Sequence, residues 1–344
     1  VATQDYKTAL EDAEWHTMHQ AGGQLNIANK YAIASVDYDS NFLYQELIIR
    51  PGNIAKSLEE RDDYLIIGSG RGDRSEQGHI WSWLKAANNW IQKKRIPAKG
   101  VNCMLNAEDH IMQAGEDGEF FFTDFVNSVP IHAVPGGGIA TPGGATIIND
   151  LAAFGISGND NGYEGIWTYG RRMKNRPKAF NYQYRVNATV NGSSATIGAL
   201  ANVDGTLLAS WWTQDGSTQE YGVDAVSSTT KATAIYEGLE FDAGSPQLRK
   251  PFERIKLVTD PFPVGASLAA KFKTDGEDDW RYAVLGSGET MFSVEDATEA
   301  DFTVSHRLGK FYEVGVEIYP NENTSPSVRS IVTDVSDNSG RTHN

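Results

Sequence analysis

Between Ile54 and Ile96 the chain reads IAKSLEERDDYLIIGSGRGDRSEQGHIWSWLKAANNWIQKKRI, and its apolar positions fall into four short runs. Ile54 to Leu58 alternates, Tyr64 to Ile67 is continuously apolar, His79 to Leu84 alternates again, and Trp90 to Ile96 closes the set. The breaks between them, Glu59 to Asp63, GSGRGDRSEQG and Lys85 to Asn89, are polar and carry turn chemistry. Four hairpin-linked strands make a sheet that cannot bury both of its faces alone. The unit therefore predicts further copies of itself.

The copies are legible. LNIAN, YAIASVD and Glu46 to Ile49 form a shorter unit upstream, while VNCML, HIMQA, EFFFTD and PIHAV form the next one downstream. After a PGGG and TPGG break, a fourth unit reads ATII, LAAFG, GIWTYG and AFNYQY, and a fifth reads ATIGAL, TLLAS, EYGVDAV and KATAIYEGL. Second strands are expected to start at Tyr31, Tyr64, His110, Leu151 and Thr206, separations of 33, 46, 41 and 55 residues that vary as loops vary. Four short strands per repeat of this size predict an all-β chain with a β-propeller of at least five blades over residues 21–245. Residues 1–20 fit neither helix nor strand cleanly, and a strand from this segment is expected to help close the ring.

At about Ser245 the pattern changes. GSPQLRKP has linker composition, and FERIKLV, ASLAAKFKT, WRYAVL, MFSV, DFTVSH, YEVGVEIY and SVRSIVTDV follow as alternating strands. They predict a C-terminal β-sandwich over residues 246–335 and a polar tail over 336–344.

Composition narrows the functional classes. Thirty basic against 45 acidic residues, a formal charge of −15, disfavours nucleic acid and anionic membrane as partners. No apolar run approaches the roughly twenty residues of a membrane-spanning helix, so no membrane insertion is expected. Cys103 is the only cysteine, which excludes an intrachain disulfide and predicts a buried apolar role.

Most motifs that suggest chemistry fail on spacing. DYDSN, Asp37 to Asn41, opens like a calcium loop but has Phe42 where the sharp turn needs Gly. His16 and His19 are set to share a helical face, without a third metal ligand. Arg71, Gly72 and Asp73 spell RGD in a stretch that wants Gly and Asp for its turn anyway. SWWTQDGST departs from the Ser-x-Asp-x-Gly-x-x-Trp pattern of sialidase turns, and Glu116, Asp117 and Glu119 read as turn and solubility residues. Nucleotide and serine-hydrolase motifs are lacking, so no cofactor and no metal site is expected.

Two features stand out as binding surfaces. Arg171, Arg172, Lys174, Arg176 and Lys178 gather positive charge in an acidic chain, suited to an anionic glycan or to an acidic patch on a neighbouring subunit. Of Trp211 and Trp212, one is expected to face the blade core and the other to face outward, placed to stack on a sugar or a partner.

The order of LNIAN, RPGNIAKSLEERDDYLIIGS, GHIWSW, GVNCM, PGGG, GIWTYGRRMKNRPKAFNYQYR and TTKATAIYEGLEFD before FERIKLV resembles the propeller-bearing tail and virion proteins of tailed bacteriophages. That resemblance implies a non-enzymatic structural component of the virion, at the tail or on an external appendage. Its partners would be other virion proteins and copies of itself. The alternatives are a host-surface glycan or receptor-binding protein and, second, a glycan-degrading propeller enzyme.

Overall fold

The computed structural model describes residues 10, 11, 13, 15–71, 77–85, 87–107, 110–159, 163–171, 177–186, 195–215, 218–226, 230–244 and 246–336. All regular structure among them is β, without helices. The chain divides into two compact units, Val1–Val226 and Ser227–Asn344.

The first unit is a series of blade-like antiparallel sheets in chain order. The first holds β1 (Met18–Ala21), β2 (Gln24–Asn29), β3 (Ala32–Val36) and β4 (Phe42–Ile48), and the second holds β5 (Asn53–Arg61), β6 (Tyr64–Arg71), β7 (Gln77–Leu84) and β8 (Gln92–Lys99). The third holds β9 (Cys103–Ala107), β10 (His110–Ala114), β11 (Glu119–Thr123) and β12 (Ser128–Ala133). The fourth holds β13 (Ile139–Ile148), β14 (Leu151–Ser157), β15 (Gly165–Gly170) and β16 (Ala179–Tyr184). The fifth has three strands, β17 (Thr196–Val203), β18 (Thr206–Asp215) and β19 (Thr218–Ala225). This is the propeller arrangement that the repeats predict.

Local sequence explains the hairpins. Asn149 and Asp150 between β13 and β14 both take positive φ, at 48° and 62°, and Asp204 with Gly205 does the same between β17 and β18. Turns of that hand match the twist of the strands they join, and Asn, Asp and Gly tolerate them best. Four apolar clusters then join each sheet to the next. Ile33 and Leu47 pack with Trp81 and Trp83, Ile66 and Ile96 with Met104 and Phe121, Phe120 with Phe154 and Trp167, and Ala153 with Ile197 and Leu207. Cys103 lies within the third of these, buried, and burial pushes its thiol up to about 12.

Three expectations are corrected. Met18–Ala21 pairs with β2 and opens the first sheet, so this piece of residues 1–20 completes the first blade and not the last. Within the reference unit, β5 continues through Glu59 and Glu60 to Arg61, and the polar break shrinks to a tight turn at Asp62, whose φ is 54°. KATAIYEGL does not supply the fourth strand of the fifth blade. Its strand, β20 (Ala234–Glu237), pairs with β25 (Tyr312–Tyr319) in the second unit.

The reason for that last displacement lies in Glu237. Its carboxylate meets Lys271 Nζ at 2.7 Å, and Lys271 also meets Glu317 at 3.2 Å. Lys271 is only 4% exposed, and a buried ammonium needs carboxylate partners, which ties β20 to its new neighbours. In the second unit the sheets run β20, β25, β22 (Ser267–Thr274), β23 (Arg281–Tyr282) and β24 (Glu299–Gly309), β21 (Lys250–Thr259), β26 (Val328–Val335). Phe252, Leu257 and Phe302 from one sheet share a core with Leu268, Phe272 and Val314 from the other. MFSV and most of WRYAVL, expected as strands, make only single bridges at Phe292 and Val284 and the short β23.

Candidate functional site

The first strands of the first three blades bring three side chains to one place. His19 projects from β1, Glu59 from β5 and Asn106 from β9. His19 Nε2 stands 3.9 Å from Glu59 Oε1, and the Asn106 side-chain amide donates to Glu60 O at 3.1 Å. Glu59 Oε1 accepts the Glu60 backbone N–H at 3.1 Å. Asn106 Oδ1 is buried and has no hydrogen-bond partner among the described residues.

Burial governs the ionisation here. The Glu59 side chain is 15% exposed, and desolvation pushes its carboxyl up to about 7, with the Glu60 charge adding to the rise. Burial likewise lowers the His19 imidazole, so it favours the neutral ring beside that carboxyl. Glu60 accepts the Gly22 N–H at 3.3 Å from the β1–β2 turn. Lys85 reaches Gln24 Oε1 at 2.5 Å and Asn26 Oδ1 at 2.6 Å, and stands 3.7 Å from Glu46. The result is a carboxyl that carries a proton near neutrality, with a second carboxylate next to it in sequence.

The same hairpin has a cavity of about 320 Å³, lined by Gln20, Gly23, Gln24, Leu25, Val36, Asp37 and Tyr38. The Tyr38 ring is 80% exposed, and its hydroxyl accepts from Gln20 Nε2 at 3.2 Å. An open aromatic face beside amides and a carboxylate suits a polyhydroxylated ligand, since ring faces take C–H surfaces while the polar groups take hydroxyls.

Lys56 and Glu116 form a second charged feature, a buried ion pair between the second and third blades with side chains 5% and 6% exposed. Thr17 donates to Lys56 O at 3.0 Å, and the Trp15 ring lies 5.8 Å from Lys56 Nζ. Its burial marks it as architecture and not as a solvent-facing site. Glu116 is thereby corrected from a turn and solubility residue to an interior one. Its neighbour Asp117 does hold the turn, accepting from the backbone N–H groups of Lys99 at 2.9 Å and Glu119 at 3.3 Å.

The other sequence candidates are scattered. Arg171 is exposed after β15 and Lys178 is half-buried before β16, while Arg172, Lys174 and Arg176 lie outside the described residues. Trp211 packs towards the core between the fourth and fifth blades and donates to Asp224 Oδ1 at 2.8 Å, whereas Trp212 faces the opposite side at 36% exposure. Asp37 binds Asn41 N and Nδ2, both at 2.8 Å, closing its own turn. Arg71 ends β6, with Gly72 and Asp73 outside the described residues. The helical face expected for His16 and His19 is absent: His16 Nδ1 lies 3.0 Å from Ala28 O, and His19 sits on a strand against Glu59. Glu59, Glu60 and Asn106 were not among the sequence candidates, because a Glu-Glu pair before Arg-Asp-Asp looks like a solvated turn.

No family model and no curated protein matches the chain. Among solved structures, a protein described as a glycoside hydrolase is similar over 93% of this chain and 96% of its own, at 8% identity and a TM-score of 0.34. A mutant of the GH43 protein BlXynB from Bacillus licheniformis is similar over 91% of this chain and 96% of its own, at 8% identity and a TM-score of 0.35. A crystal structure of the mitotic checkpoint complex is similar over 86% of this chain and 91% of the matched one, at 12% identity and a TM-score of 0.40. The expectation of a phage structural protein is corrected here. The structures named are two glycoside hydrolases and a checkpoint-complex chain, and the carbohydrate-directed alternatives are weighed below on geometry alone.

Proposed function

We propose that this protein is a carbohydrate-directed hydrolase in which Glu59 is the proton donor. The observation that carries the reading is one largely buried carboxyl, Glu59, with His19 of the first blade 3.9 Å away and Asn106 of the third blade held beside it through its backbone and through its side-chain bond to Glu60 O. Glycosidic cleavage needs an acid that is still protonated near neutrality and a carboxylate to activate water. Glu59 fits the first role, and the carboxylate it becomes can take the proton of the water; Glu60, next on β5, points to the opposite face, towards the first blade.

In the proposed step the Glu59 proton passes to the glycosidic oxygen as the bond from that oxygen to the anomeric carbon breaks. Water adds to the anomeric carbon, and the Glu59 carboxylate left by the first transfer takes its proton. Neutral His19 keeps a positive charge away from Glu59, which would otherwise draw its proton off. The net charge of −15 favours neutral glycans over sulfated or uronic ones. In the second unit, the shared core of the two sheets supports reading them as a β-sandwich.

A second reading, glycan binding without cleavage, is favoured by the Tyr38 cavity, which holds polar groups and no paired acid. Incubation with a panel of neutral polysaccharides, followed by reducing-end titration and affinity electrophoresis, separates the two. Sugar release that Glu59→Gln abolishes, with retention on the gel intact, supports the hydrolase. Retention without release supports binding alone, and neither release nor retention refutes both.

A further inference from the structure

Among the described residues the fifth blade has three strands where each of the other four has four, and the chain after β19 supplies its next strand to the second unit. Among the described residues β19 therefore pairs on one side only, with β18. Backbone N–H and C=O groups along an unpaired edge are a template for another strand.

The side chains on that edge are sorted by face. Tyr221 lies opposite Trp212 and Val223 opposite Ser210, so Trp212, Tyr221 and Val223 share one face, at 36%, 70% and 65% exposure. Gly222 lies opposite Trp211, which places Glu220 and Asp224 on the other face, where Trp211 Nε1 donates to Asp224. Gly222 is required there: a Cβ would stand 2.3 Å from the Trp211 ring. One face of the edge is thus apolar and aromatic, and the other is acidic.

We propose that β19 is a docking edge for an extended peptide whose residues alternate between apolar and basic. Such a strand adds antiparallel to β19, lays its apolar residues against Tyr221 and Val223, and sets Lys or Arg beside Glu220 and Asp224. A second copy of this chain fits less well. Pairing β19 with itself about Gly222 brings Glu220 opposite Asp224, and like charges directly opposed in a ladder are unfavourable.

The test uses the full chain and a fluorescein-labelled octapeptide of alternating Lys and Val, followed by anisotropy. Comparison peptides are alternating Glu and Val, and the Lys-Val peptide N-methylated at every second residue. Saturable binding of the Lys-Val peptide alone is expected, weakened roughly tenfold by Glu220→Lys, since charge reversal turns an attraction into a repulsion. Tyr221→Ser, at an exposed position, should weaken binding without altering the far-UV spectrum.

Equal binding of the acidic or both N-methylated and unmethylated peptides overturns the proposal, as does indifference to Glu220→Lys and Tyr221→Ser in folded variants. Absence of binding overturns it too. A concentration-dependent dimer that protects β19 amides from exchange would assign the edge to a second copy instead.

Discussion

The Lys56 and Glu116 pair makes a demanding test of how the blades are held together. Both side chains are nearly inaccessible, and they join β5 of the second blade to the β10–β11 turn of the third. Replacing one partner leaves the other charged in an interior that cannot hydrate it, a loss of about 3–5 kcal/mol. Lys56→Met and Glu116→Leu should each cost this much, while the double variant, with neither charge, should recover most of it. Urea unfolding followed by tryptophan fluorescence reports on the right unit, because seven of the eight tryptophans precede Val226. With two units in the chain, only the transition that carries this signal should be fitted. At a slope of about 2–3 kcal/mol per M, each single variant should lower the midpoint by about 1–2 M. Single variants losing less than about 1 kcal/mol, or a double variant no better than the worse single, would refute the argument from burial.

Glu59 predicts a pH dependence of stability. In the folded chain burial holds this carboxyl at about 7, above the ordinary carboxyl value of 4.5, so between these limits the unfolded chain releases a proton that the folded chain keeps, and stability falls as pH rises. Glu59→Gln should therefore gain about 1–3 kcal/mol over the parent at pH 8 and nothing at pH 4, by urea titration at each pH. Gly115→Ala puts a Cβ 2.5 Å from the Gly100 carbonyl oxygen, a backbone atom without freedom to retreat, and should cost about 1–3 kcal/mol in the same assay. Glu237→Gln removes a partner of Lys271 and should speed amide exchange in β20 while leaving β19 unchanged; equal acceleration in both would return β20 to the fifth blade.

What the sequence made legible was set by period. The runs over Ile54 to Leu58 and His79 to Leu84 survive as β5 and β7, although both strands are buried on both faces between neighbouring blades. The blade repeat follows from counting such runs. Strand ownership was not legible at Ala234 to Glu237, since β20 is held by Lys271 and Glu317, more than thirty residues on. Alternation in Ala234 to Glu237 is equally compatible with either sheet. The catalytic candidates were hidden for a different reason. Glu59 and Glu60 lie on a strand whose polar end resembles a loop, and only the packing of β1 and β9 beside β5 turns that polarity into a buried site. The available signal was that the alternation of Ile54 to Leu58 carries on without a Gly or Pro break through Glu59 and Glu60. The paired tryptophans were easier: adjacent strand residues face opposite sides, and Trp211 and Trp212 do so.

The central claim is that Glu59 donates the proton in glycosidic cleavage, and the most direct test is the pH profile of reducing-end release from a neutral polysaccharide, measured for the parent and for Glu59→Gln. The account predicts release by the parent that declines as pH rises through about 7, where Glu59 loses its proton, and a loss of at least about a hundredfold in the variant below that pH, narrowing above it. Release by Glu59→Gln at the parental rate below that pH, or a parental profile that keeps rising above pH 8, would contradict it.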